Sequence, residues 1–151
     1  MKSAFKPVWA IVFVICGLVA VVGISHVLEP KERIAWGTDF SAAQAESTRT
    51  HKPVLAYFTA TWCGPCQEMK RTTWSDPKVA AALGDYVPVK IDIDEHPEIA
   101  GKFSFDGIPA FAVLDTKGQP VKQNMGYQTS EAFLDWLSAR ADAPVSTAPL
   151  P

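Results

Sequence analysis

Apolar residues form one long run and several short runs along this chain. The long run, residues 8–28, contains no Asp, Glu, Lys or Arg. About 20 apolar residues in a helix cross the ~30 Å hydrocarbon core of a bilayer. The pattern therefore predicts a single N-terminal transmembrane helix at 8–28, with a cytoplasmic N-terminus at 1–7 before it and a polar linker at 29–37 after it.

Charges on either side of the long run predict its orientation. Lys2 and Lys6 precede it, whereas residues 29–33 carry no net charge. Because positive flanks stay in the cytoplasm, the rest of the chain is expected on the periplasmic or extracytoplasmic side of the inner membrane. Two alternatives are a signal peptide cleaved before His26, after small residues, and a buried core helix.

The short apolar runs predict the strands of one α/β domain at 38–142. Residues 54–59 lack polar alternation, which is typical of a strand buried on both faces beside parallel neighbours. Three further strands are predicted at 86–93, 109–114 and 120–125, with hairpin-forming residues at 115–118 between the last two. We expect a central four-stranded mixed sheet.

Helical stretches alternate with these strands. Thr38 or Asp39 can cap the first helix, and Asp76 followed by Pro77 can start another. Helices are predicted at 40–47, 63–74, 77–84 and 97–103, and from residue 130 onward. The tail at 143–151 contains three prolines and no charge, so we predict that it is disordered.

Composition excludes some classes of function. The chain has 151 residues, 48% of them hydrophobic, and a formal net charge of −2. It has no stripe of basic residues interleaved with aromatic ones, so we predict no nucleic-acid partner.

The candidate chemistry lies in the sequence Trp62-Cys63-Gly64-Pro65-Cys66. Two cysteines three residues apart at the start of a helix share one face and can form a disulfide. The first, Cys63, lies where unpaired N–H groups and the helix dipole favour a thiolate, the form that attacks disulfides. Cys66, one turn further on, is the expected resolving thiol. Gly64 leaves Cys63 open to approach, and Pro65 is tolerated in the first helical turn.

A metal site and a purely structural disulfide are the alternatives for this pair. Thiolate metal sites usually need about four ligands, and the third cysteine, Cys16, lies in the long apolar run. His51 and His96 have no suggestive spacing. The acidic stretch at 92–98 is better explained as a solvated helix start. We therefore predict no metal and no cofactor beyond the redox-active Cys63–Cys66 disulfide.

Residues 52–137 resemble thioredoxins, and most of all the C-terminal thioredoxin-like domain of the DsbD thiol:disulfide interchange proteins. The WCGPC sequence is the general thioredoxin form, whereas the closer match rests on flanking segments. These are Lys52-Pro53-Val54, Ser75-Asp76-Pro77 with Val79 and Leu83, and Gly107-Ile108-Pro109. The resemblance implies the thioredoxin-like fold.

The resemblance also implies supporting roles around the dithiol. A cis peptide before Pro109 would let the Ile108 backbone hydrogen-bond an extended substrate and would shield the cysteines from metals. Trp62 would flank the nucleophile as a contact surface. The alternatives are an ordinary trans proline and a tryptophan that serves packing alone.

Two positions depart from the family pattern. A buried aspartate, thought to take the proton of the resolving thiol, is replaced by Tyr57, whose phenol with a reference pKa of about 10 is not a base near neutral pH. A second position that is acidic in the family is occupied by Lys70 here. The nearest remaining carboxylate, Glu68, should point away from the dithiol. We therefore predict that proton transfer to or from Cys66 depends on water, and that exchange is faster in Tyr57→Asp.

These observations predict a membrane-anchored thiol:disulfide oxidoreductase that reduces protein disulfides outside the cytoplasm. In an oxidising compartment it needs electrons, so a membrane electron carrier of DsbD type is the implied partner. Scrambled disulfides or the cysteines of apocytochrome c are candidate substrates. The alternatives are a disulfide-forming oxidase, an isomerase and a non-catalytic binding module that keeps the fold.

Overall fold

A computed structural model describes residues 11–17 and 31–139. The chain divides into two units between Pro30 and Lys31. Residues 11–17 are helical. In these two described stretches, no helix combines the length and the apolar character needed to span a bilayer. The rest of the predicted 8–28 span, residues 1–7 and the tail at 143–151 lie outside the described residues.

The larger unit is built on one mixed sheet of four strands. Its strands are β1 (Val54–Thr59), β2 (Val87–Asp92), β3 (Ala110–Leu114) and β4 (Pro120–Met125). Their order is β2-β1-β3-β4, with β1 parallel to β2 and antiparallel to β3, and with β3 antiparallel to β4. The predicted mixed sheet is confirmed, and β1 has neighbours on both sides, as expected for a strand without polar alternation.

Five helices alternate with these strands in the predicted order. They are α1 (Phe40–Thr50), α2 (Gly64–Arg71), α3 (Pro77–Ala82), α4 (Pro97–Ala100) and α5 (Ser130–Ser138). The Asp39 side chain caps α1 by accepting from Ala42 N, and Asp76 caps α3 by accepting from Lys78 N.

Three helices end earlier than the sequence predicts, among them α3, which ends at Ala82 and continues as a 3₁₀ turn at Leu83–Asp85. The stretch predicted at 63–74 is α-helical only to Arg71 and continues as a 3₁₀ turn at Thr73–Ser75. Hydroxyl side chains there bond nearby carbonyls, as when Thr72 Oγ1 donates to Glu68 O at 2.9 Å, and such bonds compete with regular helix. Helix α4 ends before Gly101, a residue that weakens helices, rather than at 103.

Strand alternation divides the core between the two faces of the sheet. One face, which includes Leu55, Tyr57 and Phe111, packs with Trp74 and with Phe133 of α5. The other face buries a separate cluster. Its strand residues are Val54, Ala56, Phe58, Val89, Ile91, Ala110, Ala112 and Leu114. Both cysteines of the pair belong to the first cluster, so the candidate site lies on that face.

Residues 31–37, predicted as part of a linker, lie against the sheet. Gly37 N donates to Pro88 O at 3.0 Å, and Lys90 N donates to Gly37 O at 2.9 Å, beside the otherwise unpaired edge of β2. Ile34 and Trp36 pack on the first core cluster. The compact unit therefore begins at Lys31, before the predicted boundary at residue 38. Ile34 and Trp36 are the apolar residues in this segment that indicate packing, and the linker prediction overlooked them.

Candidate active site

The site is centred on a disulfide between Cys63 and Cys66 at the start of α2. Their Cα atoms are 5.2 Å apart. Cys63 is the N-cap residue, and its Sγ accepts a hydrogen bond from Cys66 N at 3.2 Å. Pro65 lies in the first turn, where its missing N–H has no intrahelical acceptor to lose. After reduction, a Cys63 thiolate would keep this N–H donor and the favourable end of the helix dipole.

Both cysteines are buried, whereas the two residues between them are exposed. Cys63 is 3% exposed and Cys66 is 2% exposed. Gly64 and Pro65 between them are exposed, and a Cβ added at Gly64 would have no neighbour within 4 Å. Approach to Cys63 is therefore open from the side of the 64–65 turn.

Trp62 lies beside Cys63 in the sequence and is at the surface. Its side chain is 66% exposed, and its Nε1 donates to Asp94 Oδ2 at 2.7 Å. Asp94 belongs to the acidic stretch at 92–98, and its hydrogen bond orients the Trp62 indole. Within residues 11–17 and 31–139, no group of three His, Cys, Asp or Glu side chains is arranged to hold a metal ion.

The loop before β3 contains the predicted cis peptide. The Ile108–Pro109 bond is cis, which confirms that prediction. Pro109 is buried, and Pro109 O accepts from Gly126 N at 2.7 Å. Ile108 packs against the core cluster that contains both cysteines. The predicted contact residues on this loop therefore adjoin the same cluster as the disulfide.

Tyr57 occupies the position where the resemblance leads one to expect a carboxylate. It is 2% exposed and lies among rings, with centroids 5.0 Å from Trp74, 5.4 Å from Trp36 and 5.5 Å from Phe111. Burial raises the pKa of the Tyr57 phenol above its ordinary value of 10.0. The phenol therefore stays protonated near neutral pH and is not a base.

Glu68 does not replace the missing carboxylate. Its side chain is half exposed and pairs with Arg71 at 2.5 Å on the surface of α2, which agrees with the expectation that it points away from the dithiol.

A cleft of about 160 Å³ reaches Cys66 from the side of β2. We call it the Cys66 cleft. Its titratable lining residues are Glu32, Tyr57, Cys66, Lys70, Lys90 and Asp92. Glu32 comes from the segment that the sequence predicted as a linker, and it was missed for that reason.

Glu32 is held in the Cys66 cleft by two contacts. It accepts a hydrogen bond from Trp36 Nε1, and its Oε2 lies 3.4 Å from Lys90 Nζ. Its side chain is only 15% exposed. A carboxylate therefore lines the same cleft as the buried cysteine, although no carboxylate occupies position 57.

A Cys-Gly-Pro-Cys disulfide at a helix start, beside a cis proline and on this sheet order, defines the class of thioredoxin-fold thiol:disulfide oxidoreductases. A sequence model of the thioredoxin-like family matches residues 35–116, more than half of the chain. The chain belongs to the thioredoxin-like family.

Similar proteins agree with this assignment. The chain is 43% identical over 81 residues to a thioredoxin from Alicyclobacillus acidocaldarius, a match that covers 53% of this chain and 73% of that protein. It is 33% identical over 109 residues to the thiol:disulfide interchange protein DsbD from Ralstonia nicotianae. That second match covers 68% of this chain but only 18% of the relative.

Solved structures show the same similarity. The oxidised DsbD C-terminal domain from Neisseria meningitidis is 26% identical with a TM-score of 0.56, over 68% of this chain and 96% of that one. A thioredoxin from Thermus thermophilus is 27% identical with a TM-score of 0.62, over 70% of this chain and 85% of that one. The protein is a thiol:disulfide oxidoreductase with Cys63 and Cys66 as its disulfide pair.

Proposed function

We propose that the protein reduces disulfides in proteins outside the cytoplasm, with Cys63 as the attacking thiolate and Cys66 as the resolving thiol. The observation that carries this proposal is the position of Cys63 as N-cap of α2, next to exposed turn residues. Cys63 attacks a substrate disulfide and forms a mixed disulfide, releasing one substrate thiolate. Cys66 then attacks Cys63 Sγ, which forms the Cys63–Cys66 bond and releases the second substrate thiolate.

The reducing direction is supported by the Gly64-Pro65 pair and by the relatives. The same dipeptide occurs in the general thioredoxin form, and proteins named thioredoxin match more than half of this chain. Reducing thioredoxins have a potential near −270 mV, and a strong periplasmic oxidant lies near −120 mV. The potential therefore distinguishes a reductase from an oxidase.

The test is the reduction potential of the Cys63–Cys66 pair in the full 151-residue chain, equilibrated against dithiothreitol and glutathione buffers. A Cys16→Ser background keeps the third cysteine out of the titration. We expect a value near −270 mV. A value near −120 mV would contradict the reductase proposal and favour disulfide formation.

Membrane anchoring through residues 8–28 is part of the same proposal. It is supported by the uncharged apolar run and by Lys2 and Lys6 before it. We expect the full chain to remain with membranes after alkaline extraction, and a variant lacking residues 1–28 to be released. A reporter fused to the C-terminus should be active outside the cytoplasm. Release of the full-length, uncleaved chain by alkali would contradict the anchor.

The electron donor that we propose is a membrane carrier of DsbD type. Oxidised Cys63–Cys66 has to be reduced after each turnover, and an extracytoplasmic location would place the pair away from cytoplasmic reductants. The similarity to DsbD supports this kind of partner. Loss of the reduced form of Cys63–Cys66 in cells without such a carrier is the expected result, and an unchanged redox state would exclude the carrier.

A further inference from the structure

Proton movement at Cys66 needs a partner that the family pattern does not supply here. Cys66 must lose its proton when it attacks Cys63 and regain a proton when the Cys63–Cys66 bond is reduced. It is 2% exposed and lines the Cys66 cleft. Position 57 carries a buried phenol whose pKa is raised by burial. The proton therefore needs an acceptor elsewhere in this cleft.

Two carboxylates line the Cys66 cleft, Glu32 and Asp92. Asp92 Oδ1 accepts from Asp94 N at 3.0 Å and so closes the turn after β2. Glu32 makes no backbone hydrogen bond of that kind among the described contacts. Its two oxygens face Trp36 Nε1 and Lys90 Nζ, both of which are side-chain donors.

We propose that Glu32 exchanges the proton of Cys66 through water in the Cys66 cleft. The cleft volume of about 160 Å³ exceeds the ~30 Å³ share of one water in the liquid, so several waters fit. The indole of Trp74 also lines the cleft, and its buried Nε1 has no hydrogen-bond partner within residues 11–17 and 31–139. A buried donor of this kind is usually bonded to ordered water.

The Cys66 S–H proton passes through water to the Glu32 carboxylate while Cys66 Sγ attacks Cys63 Sγ. The new Cys63–Cys66 bond takes the place of the bond to substrate, whose electron pair leaves with the substrate sulfur as a thiolate. Substrate is reduced by two electrons, and the cysteine pair is oxidised by two. The reverse reaction returns the proton, so the inference rests on disulfide exchange and not on its direction.

The charges around Glu32 suit this role. Lys90 on β2 lies opposite Tyr57 on β1 in the strand register and pairs with Glu32. Lys70 of α2 and Asp92 of β2 complete the titratable lining of the cleft. The Lys90 ammonium keeps an opposite charge beside the carboxylate, while the Tyr57 phenol stays neutral and does not compete as a base.

The test compares single-turnover exchange between the full chain and a peptide disulfide over a pH series, followed by tryptophan fluorescence. Glu32→Gln keeps an acceptor for Trp36 but removes the charge that accepts the proton. We expect Cys66 resolution to slow by roughly 10-fold or more. Added formate at constant pH and ionic strength should accelerate Glu32→Gln but not the unaltered protein, because a small carboxylate can enter the cleft and take the proton.

Matched variants separate proton transfer from packing. Glu68→Gln removes a carboxylate outside the cleft and should leave the rate unchanged. Trp36→Phe removes a hydrogen bond to Glu32 but keeps the carboxylate, and it should show no acceleration by formate. Glu32→Asp keeps a carboxylate and should also stay independent of formate, which preserves a readout if Glu32→Gln does not fold.

Three results would overturn the proposal. One is a Glu32→Gln protein that exchanges at the unaltered rate. Another is a slowed Glu32→Gln protein that does not respond to formate, which would make Glu32 a packing residue. The third is a formate-dependent Asp92→Asn variant together with a formate-independent Glu32→Gln variant, which would assign the proton to Asp92. Every variant is compared with the unaltered protein. Failure of the proposed function would appear separately, because the unaltered protein itself would then exchange no disulfides.

Discussion

Replacement of Cys63 by serine is expected to reduce disulfide exchange to the uncatalysed rate. Cys63 is the N-cap of α2, where the helix dipole and Cys66 N favour a thiolate, and a serine hydroxyl is not ionised near neutral pH. Cys66→Ser should instead complete the first step and accumulate a mixed disulfide, because the resolving thiol is missing. Release of thiol from a peptide disulfide measures the first result, and non-reducing electrophoresis of the trapped species measures the second.

The control for this pair of variants is Cys16→Ser. Cys16 has no disulfide partner among the described residues, and its replacement should leave exchange unchanged. Mixed disulfides on Cys63→Ser, together with none on Cys66→Ser, would reverse the two roles. Full turnover by Cys63→Ser would contradict the dithiol mechanism. Complementation of a null strain by a Cys63→Ser variant that exchanges no disulfides would instead favour the non-catalytic binding module.

The sequence predicts well those strands and helix caps that are determined by residues adjacent in the chain. The apolar run at 54–59 predicted a strand buried on both faces, and β1 has that position. The capping role of Asp39 follows from a short side chain just before a helix, and the structure confirms it. The cis peptide at Ile108–Pro109 was implied by the family resemblance and is present.

Contacts between distant residues were not predictable in the same way. Glu32 and Lys90 are 58 positions apart, and nothing in the local pattern near either residue indicates that they pair. The polar character of residues 29–33 outweighed Ile34 and Trp36 in the linker prediction, although those two residues hold the segment on the core. The missing carboxylate at Tyr57 was visible in the sequence, but its candidate replacement needed the three-dimensional arrangement.

Replacing Tyr57 by aspartate is expected to lower the free energy of unfolding by about 3–5 kcal/mol. The change removes a ring that stacks on Phe111 and packs against Trp74, and it places a carboxylate in a site that is 2% exposed. Urea denaturation of the oxidised full chain measures this loss. Tyr57→Phe, which keeps the ring and nearly the same volume, should cost less than about 1.5 kcal/mol. Equal losses in the two variants would contradict the packing argument.

Tyr57→Asp also tests whether a carboxylate at position 57 can exchange the Cys66 proton in place of Glu32. The sequence predicts faster exchange in Tyr57→Asp, because a carboxylate there would serve Cys66. Measured per folded molecule, the gain should be largest when Glu32→Gln is also present, since Tyr57→Asp then supplies the acid opposite Lys90 that Glu32 no longer supplies. If the double variant exchanges no faster than Glu32→Gln alone, a carboxylate at position 57 does not reach Cys66. Faster exchange in the double variant would show that a carboxylate at either position can serve Cys66.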